Sequence, residues 1–330
     1  MKRLKVVMAV SVMCALAGVC FADQAGAPAA SALPQAYDLG GERSADTQYF
    51  HLVTTVVQYA LDGTRAGSET YRLDLKCVPG RQTGTEGDTF TCRRFTIRRG
   101  DGPEVSIPAL EGWTYVFKQT ASGTDEEGQV LGIPHAKFEG LADANGAALP
   151  PQTAYMVYNT FIDFHAFCYE FAAPTLSGKG IQDLKAIGQR IVHAAAFSEP
   201  PVNVGTSVAE GSYFRNGEVT LELKGLSVVD GAACALVGFD SGEGSFKMLM
   251  EPMPDFKITT VGASRYFGDL YVDLASKWPR KITLGELVIS ETQVPAAPNM
   301  PANKVNAVHE RASTIRAVSE EEFEQLVAGE

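Results

Sequence analysis

The chain has 330 residues, of which 45% are hydrophobic and 20% charged, and 39 acidic side chains against 28 basic ones give a formal net charge of −11 at pH 7. That balance argues against nucleic acid and anionic lipid surfaces as partners, because long-range repulsion opposes their approach. The apolar fraction suffices for a sizeable core, which excludes a disordered chain.

The chain opens on MKRLKVVMAVSVMCALAGVCFA, in which Lys2, Arg3 and Lys5 precede an apolar run that stops at small residues. This is the layout of a secretory signal peptide, with cleavage expected after Ala22. The run is short for a membrane span, and lipidation of Cys20 would want a small residue where Val19 stands. Removal of residues 1–22 takes away three positive charges and no acid, which brings the mature chain to −14. The expected destination is the periplasm or the exterior, with no membrane span after signal removal. Cys14 and Cys20 leave with the signal, so Cys77, Cys92, Cys168 and Cys234 remain. In an oxidising compartment they can pair in three ways.

Residues 23–47, rich in Ala, Gly, Pro and Ser, read as a flexible leader. The β-rich domain is expected over residues 48–291. YFHLVTTVVQYAL runs into Asp62-Gly63 and then ETYRLDLKC, where Tyr71, Leu73, Leu75 and Cys77 alternate with polar residues, which predicts a hairpin. A glycine-rich loop leads to TFTCRRFTIRR, and GWTYVFKQ follows with Trp113, Tyr115 and Phe117 on one face. Cys77 and Cys92 stand nearly symmetrically about Gly84-Thr85, which makes them disulfide candidates across that loop. The pairing would set Leu75 against Arg94, so it requires a bulge.

The pattern changes at Pro150-Pro151. Phe161, Phe164, Phe167, Cys168 and Phe171 recur at helical spacing, and Ile181, Leu184, Ile187 and Ile191 repeat it, which predicts a helical pair over 152–197 closed by Pro200-Pro201. Strands then return. Asn216-Gly217 is expected to join GSYFR to EVTLELK as a tight hairpin, and Asp230-Gly231 to join LSVV to AACALVGF. RYFGDLYVDL and RKITLGELVIS complete the run, with Gly285 marking a bulge where the apolar phase slips. Residues 292–330 read as a linker and a short C-terminal helix, tethered loosely, with Ser319 and Glu322 as a capping box and Phe323, Leu326 and Val327 as a short stripe.

The predicted fold class is mainly β: an antiparallel curved sheet or half-barrel with an inserted helical pair. Two separate β lobes are the alternative. The order of strands, helical insertion and strands resembles that of the curved half-barrel of periplasmic lipoprotein carriers, a resemblance of element order that implies helices laid over the sheet.

Four constellations carry chemistry-bearing residues. In ALVGFDSGEGS, Asp240-Ser241-Gly242 resembles the Asp-Ser/Thr-Gly signature of aspartic proteases, which implies a dyad shared across a homodimer because the chain has one such motif. Glu243 departs from the small residue expected there, and the same three residues favour turns. Asp163, His165, Cys168 and Glu170, with His193, are ligand-type side chains, but on a helix only an (i, i+3) or (i, i+4) pair such as His165 with Cys168 shares a face, and the expectation is a core or boundary histidine and a buried small cysteine. Arg93, Arg94, Arg98 and Arg99 suit an anionic ligand or the solvated face of an edge strand. The aromatics at Trp113, Tyr115, Phe117 and along 155–171 suit an apolar pocket or plain core. There is no His-Glu-x-x-His, Gly-x-Ser-x-Gly, phosphate loop, dinucleotide fingerprint or paired Cys-x-x-Cys. The resulting expectation is an exported, non-catalytic binding or envelope protein whose partner is an apolar small molecule or an envelope protein, with no catalytic residue, cofactor or metal. The alternative is a homodimeric aspartic-type hydrolase using Asp240.

Overall fold

Runs of β-branched and aromatic residues dominate the chain after the leader, and among the described residues, 51% of which are in strands, they pair as thirteen antiparallel strands in one curved open sheet. The structure, a computed structural model, describes residues 36–120, 133–193, 208–297 and 301–329. The expected signal peptide and residues 23–35 of the leader lie outside them. From residue 36 the chain already contributes to the core, because Tyr37 and Leu39 are buried in it. The fold therefore begins a dozen residues earlier than the composition suggested.

The hairpin of β1 (Gln48–Tyr59) and β2 (Arg65–Val78) forms as expected across Asp62-Gly63. A single helical turn, α1 (Gly80–Thr83), leads into β3 (Asp88–Arg99), whose outer edge is shared by β4 (Glu104–Ser106) and β5 (Thr114–Phe117). The helical insertion follows. Its first half is α2 (Pro151–His165), continued by a wider π turn at Ala166–Phe171, 21 residues in all. Pro151 begins it where a missing N–H costs nothing.

The expected second helix does not form. Ile181–Asp183 makes one 3-10 turn, Gly188 takes a φ of +84°, and Arg190–Val192 becomes the edge strand β6, with Ile191 opposite Leu221. Two glycines, Gly180 and Gly188, break the segment. Ile181, Leu184 and Ile191 still reach the core from loop and strand, while Ile187 is exposed, so apolar spacing alone imitated a helix. Residues 194–197 lie outside the described part.

On the other flank come β7 (Tyr213–Arg215), β8 (Thr220–Val229), β9 (Ala232–Asp240) and β10 (Gly244–Met253). Asp230-Gly231 turns β8 into β9 with both residues at positive φ, as primed turns demand. Asn216-Gly217 makes no hairpin, because β7 pairs with β10 and not with β8. Arg215 opposite Ser245 and Thr220 opposite Asp240 share one register, so β7 and β8 are two pieces of one strand bent at Asn216–Val219. On the facing strand, Asp240 lies opposite Phe267 and Gly244 opposite Ser264 of β11 (Phe256–Asp273), which leaves one extra residue, a bulge at Ser241–Glu243. The two corners nest so closely that a Cβ on Gly217 would stand 2.7 Å from the Glu243 backbone nitrogen.

The sheet continues through β12 (Pro279–Val294) and β13 (Asn303–Val318). Gly285 stays in register with Phe267 and Ala312 and makes no bulge; the ring of Phe267 lies 3.5 Å from where its Cβ would be, so an aromatic covers the gap. β13 corrects the expected linker. It lies in the middle of the sheet, between β12 and β1, and joins the two ends of the chain. Its core-facing positions include His309, Arg311 and Ser313, which hid the strand's alternation. The last helix, α3 (Glu320–Ala328), is capped as expected, Ser319 Oγ accepting from the Glu322 N–H at 3.2 Å. It is docked and not loosely tethered, since Phe323 is fully buried with its ring 5.1 Å from that of Tyr49.

The core fills the space between the inner face of the sheet and α2. Phe161 stacks on Phe95, and Phe164 meets Phe50 and Phe90 edge-on, so the aromatics on both sides of the insertion form one cluster.

Candidate functional site

The Asp-Ser-Gly motif is the corner of the sheet. Asp240 accepts from Arg265 Nη2 at 2.5 Å and Nε at 3.2 Å, and from the Gly242 N–H at 2.8 Å. The Arg265 hydrogen bond holds its carboxyl below the ordinary value. Ser241 Oγ accepts the Tyr266 N–H at 2.9 Å, and Gly242 takes the left-handed φ the bulge needs. Each residue of the motif has a structural task.

The ligand-type residues near the end of α2 point apart. His165 is fully buried, bonded to the Tyr115 hydroxyl at 2.8 Å and stacked 4.1 Å from Phe117, and burial pulls its pKa down to about 3. His193 donates from Nε2 to the Glu170 carbonyl at 2.9 Å, and burial lowers it to about 4. Burial pushes the Cys168 thiol up to about 12. Among the described residues no three His, Cys, Asp or Glu side chains converge as a metal site would require.

Three of the four clustered arginines bond acids of the protein itself. Arg93 grips Glu324 of α3 with two bonds of 3.0 and 3.1 Å, Arg94 bonds Glu104 at 3.0 Å and the Leu326 carbonyl at 2.5 Å, and Arg99 bonds Glu69 at 2.9 Å. Arg98 stands opposite Glu104 in the ladder. The bulge between β2 and β3 falls at Arg93, and it matches apolar faces: Cys77 opposes Phe90 and Cys92 opposes Leu75. The two disulfide candidates are therefore offset along the ladder, and all four cysteines are free and buried. Trp113, Tyr115 and Phe117 pack with α2 as core.

A different site emerges where the core stops. Following the ladder across five strand junctions, Tyr266, Glu286, Arg311, Val56, Glu69 and Arg99 form one row on the inner face. Arg311 donates from Nε to Glu286 at 2.6 Å and from Nη1 to Asp163 of α2; Arg99 Nη2 reaches Thr153 at the other end of the helix at 3.4 Å. This polar row seals the packed core. Beyond it the same face of the sheet is half-open, with Phe246, Met248 and Met250 on β10, Val288 on β12, and Val305 and Ala307 on β13 interspersed with Thr260, Ser264, Ser290, Thr292 and His309. Met248, Thr260, Thr292 and Val305 stand side by side across four strands. The Thr260 and Thr292 hydroxyls bond each other at 2.9 Å, and Phe214 stacks on Phe246 with centroids 6.3 Å apart. Gly262 has no room for a Cβ because the Phe246 ring would lie 2.5 Å from it. This stretch of the curved inner face, here called the trough, thus carries methionine, valine and phenylalanine among threonine and serine and is bounded at one end by charge.

Neither end of this trough was visible in sequence motifs. The alternating Met248 and Met250 in KMLMEPM were the available signal, while Glu286 and Arg311 stand 25 residues apart on neighbouring strands.

At the opposite end of the helix, an open cleft of about 360 Å³ is lined by Arg43, Asp88, Tyr169 and Trp278. The Arg43 guanidinium lies 4.2 Å from the Trp278 ring and 4.8 Å from that of Tyr169, and it donates to the Cys168 and Ala172 carbonyls, the latter at 3.1 Å. It supplies donors that the last carbonyls of the helix lack and clamps the segment before β1 to the core.

No protein-family model matches the chain, and no curated protein matches it either. Among solved structures, a DUF1329 family protein from Desulfovibrio piger is 8% identical over 84% of this chain and 90% of its own, with a TM-score of 0.14. The outer membrane protein OmpT of Vibrio cholerae is 12% identical over 83% of this chain and 99% of its own, with a TM-score of 0.17. A porin from Rh. blastica is 9% identical over 83% of this chain and 100% of its own, also with a TM-score of 0.17.

Proposed function

We propose that the protein is an exported, non-catalytic binding protein of the periplasm or cell exterior, and that it holds an apolar small molecule with a flexible chain along the inner face of β10–β13. The single observation that carries this reading is the row Met248, Thr260, Thr292, Val305, in which the two threonine hydroxyls satisfy each other and leave the flanking methionine and valine half-open on the inner face. Methionine side chains adapt to irregular apolar guests without a fixed pocket shape. The basic N-terminus followed by an apolar run supports export. An envelope protein presenting an apolar segment would use the same floor.

The test is titration of dansyl-labelled undecanoic acid into the mature chain, followed by fluorescence. Saturable binding is expected, weakened at least tenfold in Met248→Glu and in Val305→Glu, since a carboxylate on the floor must be desolvated against the chain. Equal affinity in wild type and both variants overturns the assignment to this floor, and lack of binding together with no retained lipid in native mass spectrometry overturns the apolar ligand.

A further inference from the structure

The charged group at the closed end of the trough has one cation for two acids. Arg311 of β13 bridges Glu286 of β12 at 2.6 Å and Asp163 of α2, and all three side chains are about nine-tenths buried, at 11%, 12% and 9% exposure. One buried guanidinium compensates one carboxylate well. A second ionised carboxylate leaves an uncompensated negative charge away from water, the situation in which a group takes up a proton or moves toward solvent.

We propose that Asp163, Arg311 and Glu286 form a proton-operated latch: with Asp163 protonated, α2 sits closed on β12 and β13 beside a neutral Arg311–Glu286 pair, and ionisation of Asp163 drives that side of the helix off the sheet and opens the inner end of the trough. Asp163 is the acid that moves, because Glu286 receives the Arg311 Nε bond from the neighbouring strand of the ladder, whereas Asp163 stands on the helix.

The surroundings support this order. Burial is the first cause that raises the Asp163 carboxyl, to about 7, with Arg311 opposing it and Glu286 adding to it. In the open state, in water, the same carboxyl returns to about 4. The state with the higher pKa is favoured by protons, so closure weakens as pH rises between those values and is constant above them. Three other titratable groups face the triad. Tyr155 of α2 and Tyr266 of β11 are both raised by burial and remain protonated, while His309 of β13 is held below its ordinary value by burial and is common to every variant compared. His165, on another side of the helix, is neutral when closed and is common to every variant compared. The latch is a property of the helix and the sheet and stands whether or not the trough holds a ligand.

Hydrogen exchange of the full mature chain tests it, read as the protection of α2 amides in a variant relative to wild type at each pH, with the β8–β9 hairpin as internal reference. Asp163→Asn keeps the shape and removes the charge, so its α2 protection relative to wild type should rise at least tenfold between pH 5 and pH 7.5. Glu286→Gln leaves Asp163 and Arg311 as one balanced pair, so it too should stay closed at pH 7.5. A ratio independent of pH for both variants overturns the latch, as does a rise of equal size in the reference hairpin. Should Asp163→Asn fail to fold, the Glu286→Gln comparison alone decides.

Discussion

Ser241 and Tyr266 hold each other by both ends: the Ser241 N–H donates to the Tyr266 carbonyl at 2.8 Å, and the Tyr266 N–H donates to Ser241 Oγ at 2.9 Å. The side chain replaces a backbone carbonyl that the bulge has turned away. Ser241→Ala leaves the Tyr266 N–H buried without a partner, and the expected cost is about 1–3 kcal/mol. Urea denaturation of the two proteins side by side measures it; a change under a few tenths of a kcal/mol would mean the corner rearranges freely.

Asp240 next to that serine is the residue on which the hydrolase reading depended. Its carboxylate is bonded to Arg265 on the outer side of the sheet and is partly exposed. Asp240→Asn is expected to leave ligand binding unchanged and to cost under about 1 kcal/mol, the usual worth of an exposed pair. Acid-pH digestion of a denatured protein by wild type that vanishes in Asp240→Asn would instead establish the aspartic-type enzyme.

The C-terminal segment is required for the fold. Deletion of residues 293–330 removes β13, the strand between β1 and β12, together with the buried Phe323. The truncated chain should not fold cooperatively by circular dichroism and thermal melting. A milder test is Phe323→Ala, with an expected loss of about 3–5 kcal/mol for a fully buried phenylalanine.

Stability should fall as the solution is acidified from pH 6.5 toward 4. His165 and His193 have folded pKa values lowered by burial, to about 3 and about 4, against about 6.5 in the unfolded chain. The unfolded state therefore binds more protons in that window, and each histidine costs up to about 1.4 kcal/mol per pH unit. Asp163, with its raised carboxyl, acts in the opposite sense between about 4 and 7 and offsets part of this slope, while His309, also lowered by burial, adds to it. Chemical denaturation midpoints at half-unit intervals give the slope directly, and His165→Gln should flatten it whatever it does to absolute stability.

Thiol alkylation of the mature protein unfolded without reductant should count four free cysteines, because the β2–β3 bulge sets Cys77 against Phe90 and Cys92 against Leu75. A count of two, with Cys77 and Cys92 unlabelled, would restore the bridge expected from their spacing.

Local chemistry determined much of this protein by itself. Asp230-Gly231 dictates its hairpin because few other dipeptides accept two positive φ angles, Gly63 supplies the one positive φ of the β1–β2 loop, Ser319 caps its helix with its own hydroxyl, and alternating residues mark most of the long strands. What tertiary structure decided are the places where a residue's partner lies far along the chain. Asn216-Gly217 looks like a turn until β10 claims Tyr213–Arg215, and Asp240-Ser241-Gly242 looks catalytic until Tyr266 and Arg265 are brought against it. β13 was hidden because Arg311 and Ser313 occupy inward positions that only Asp163, Glu286 and Thr54 make affordable. The trough has no motif at all, since its floor is one residue in two from strands that meet only when the sheet forms.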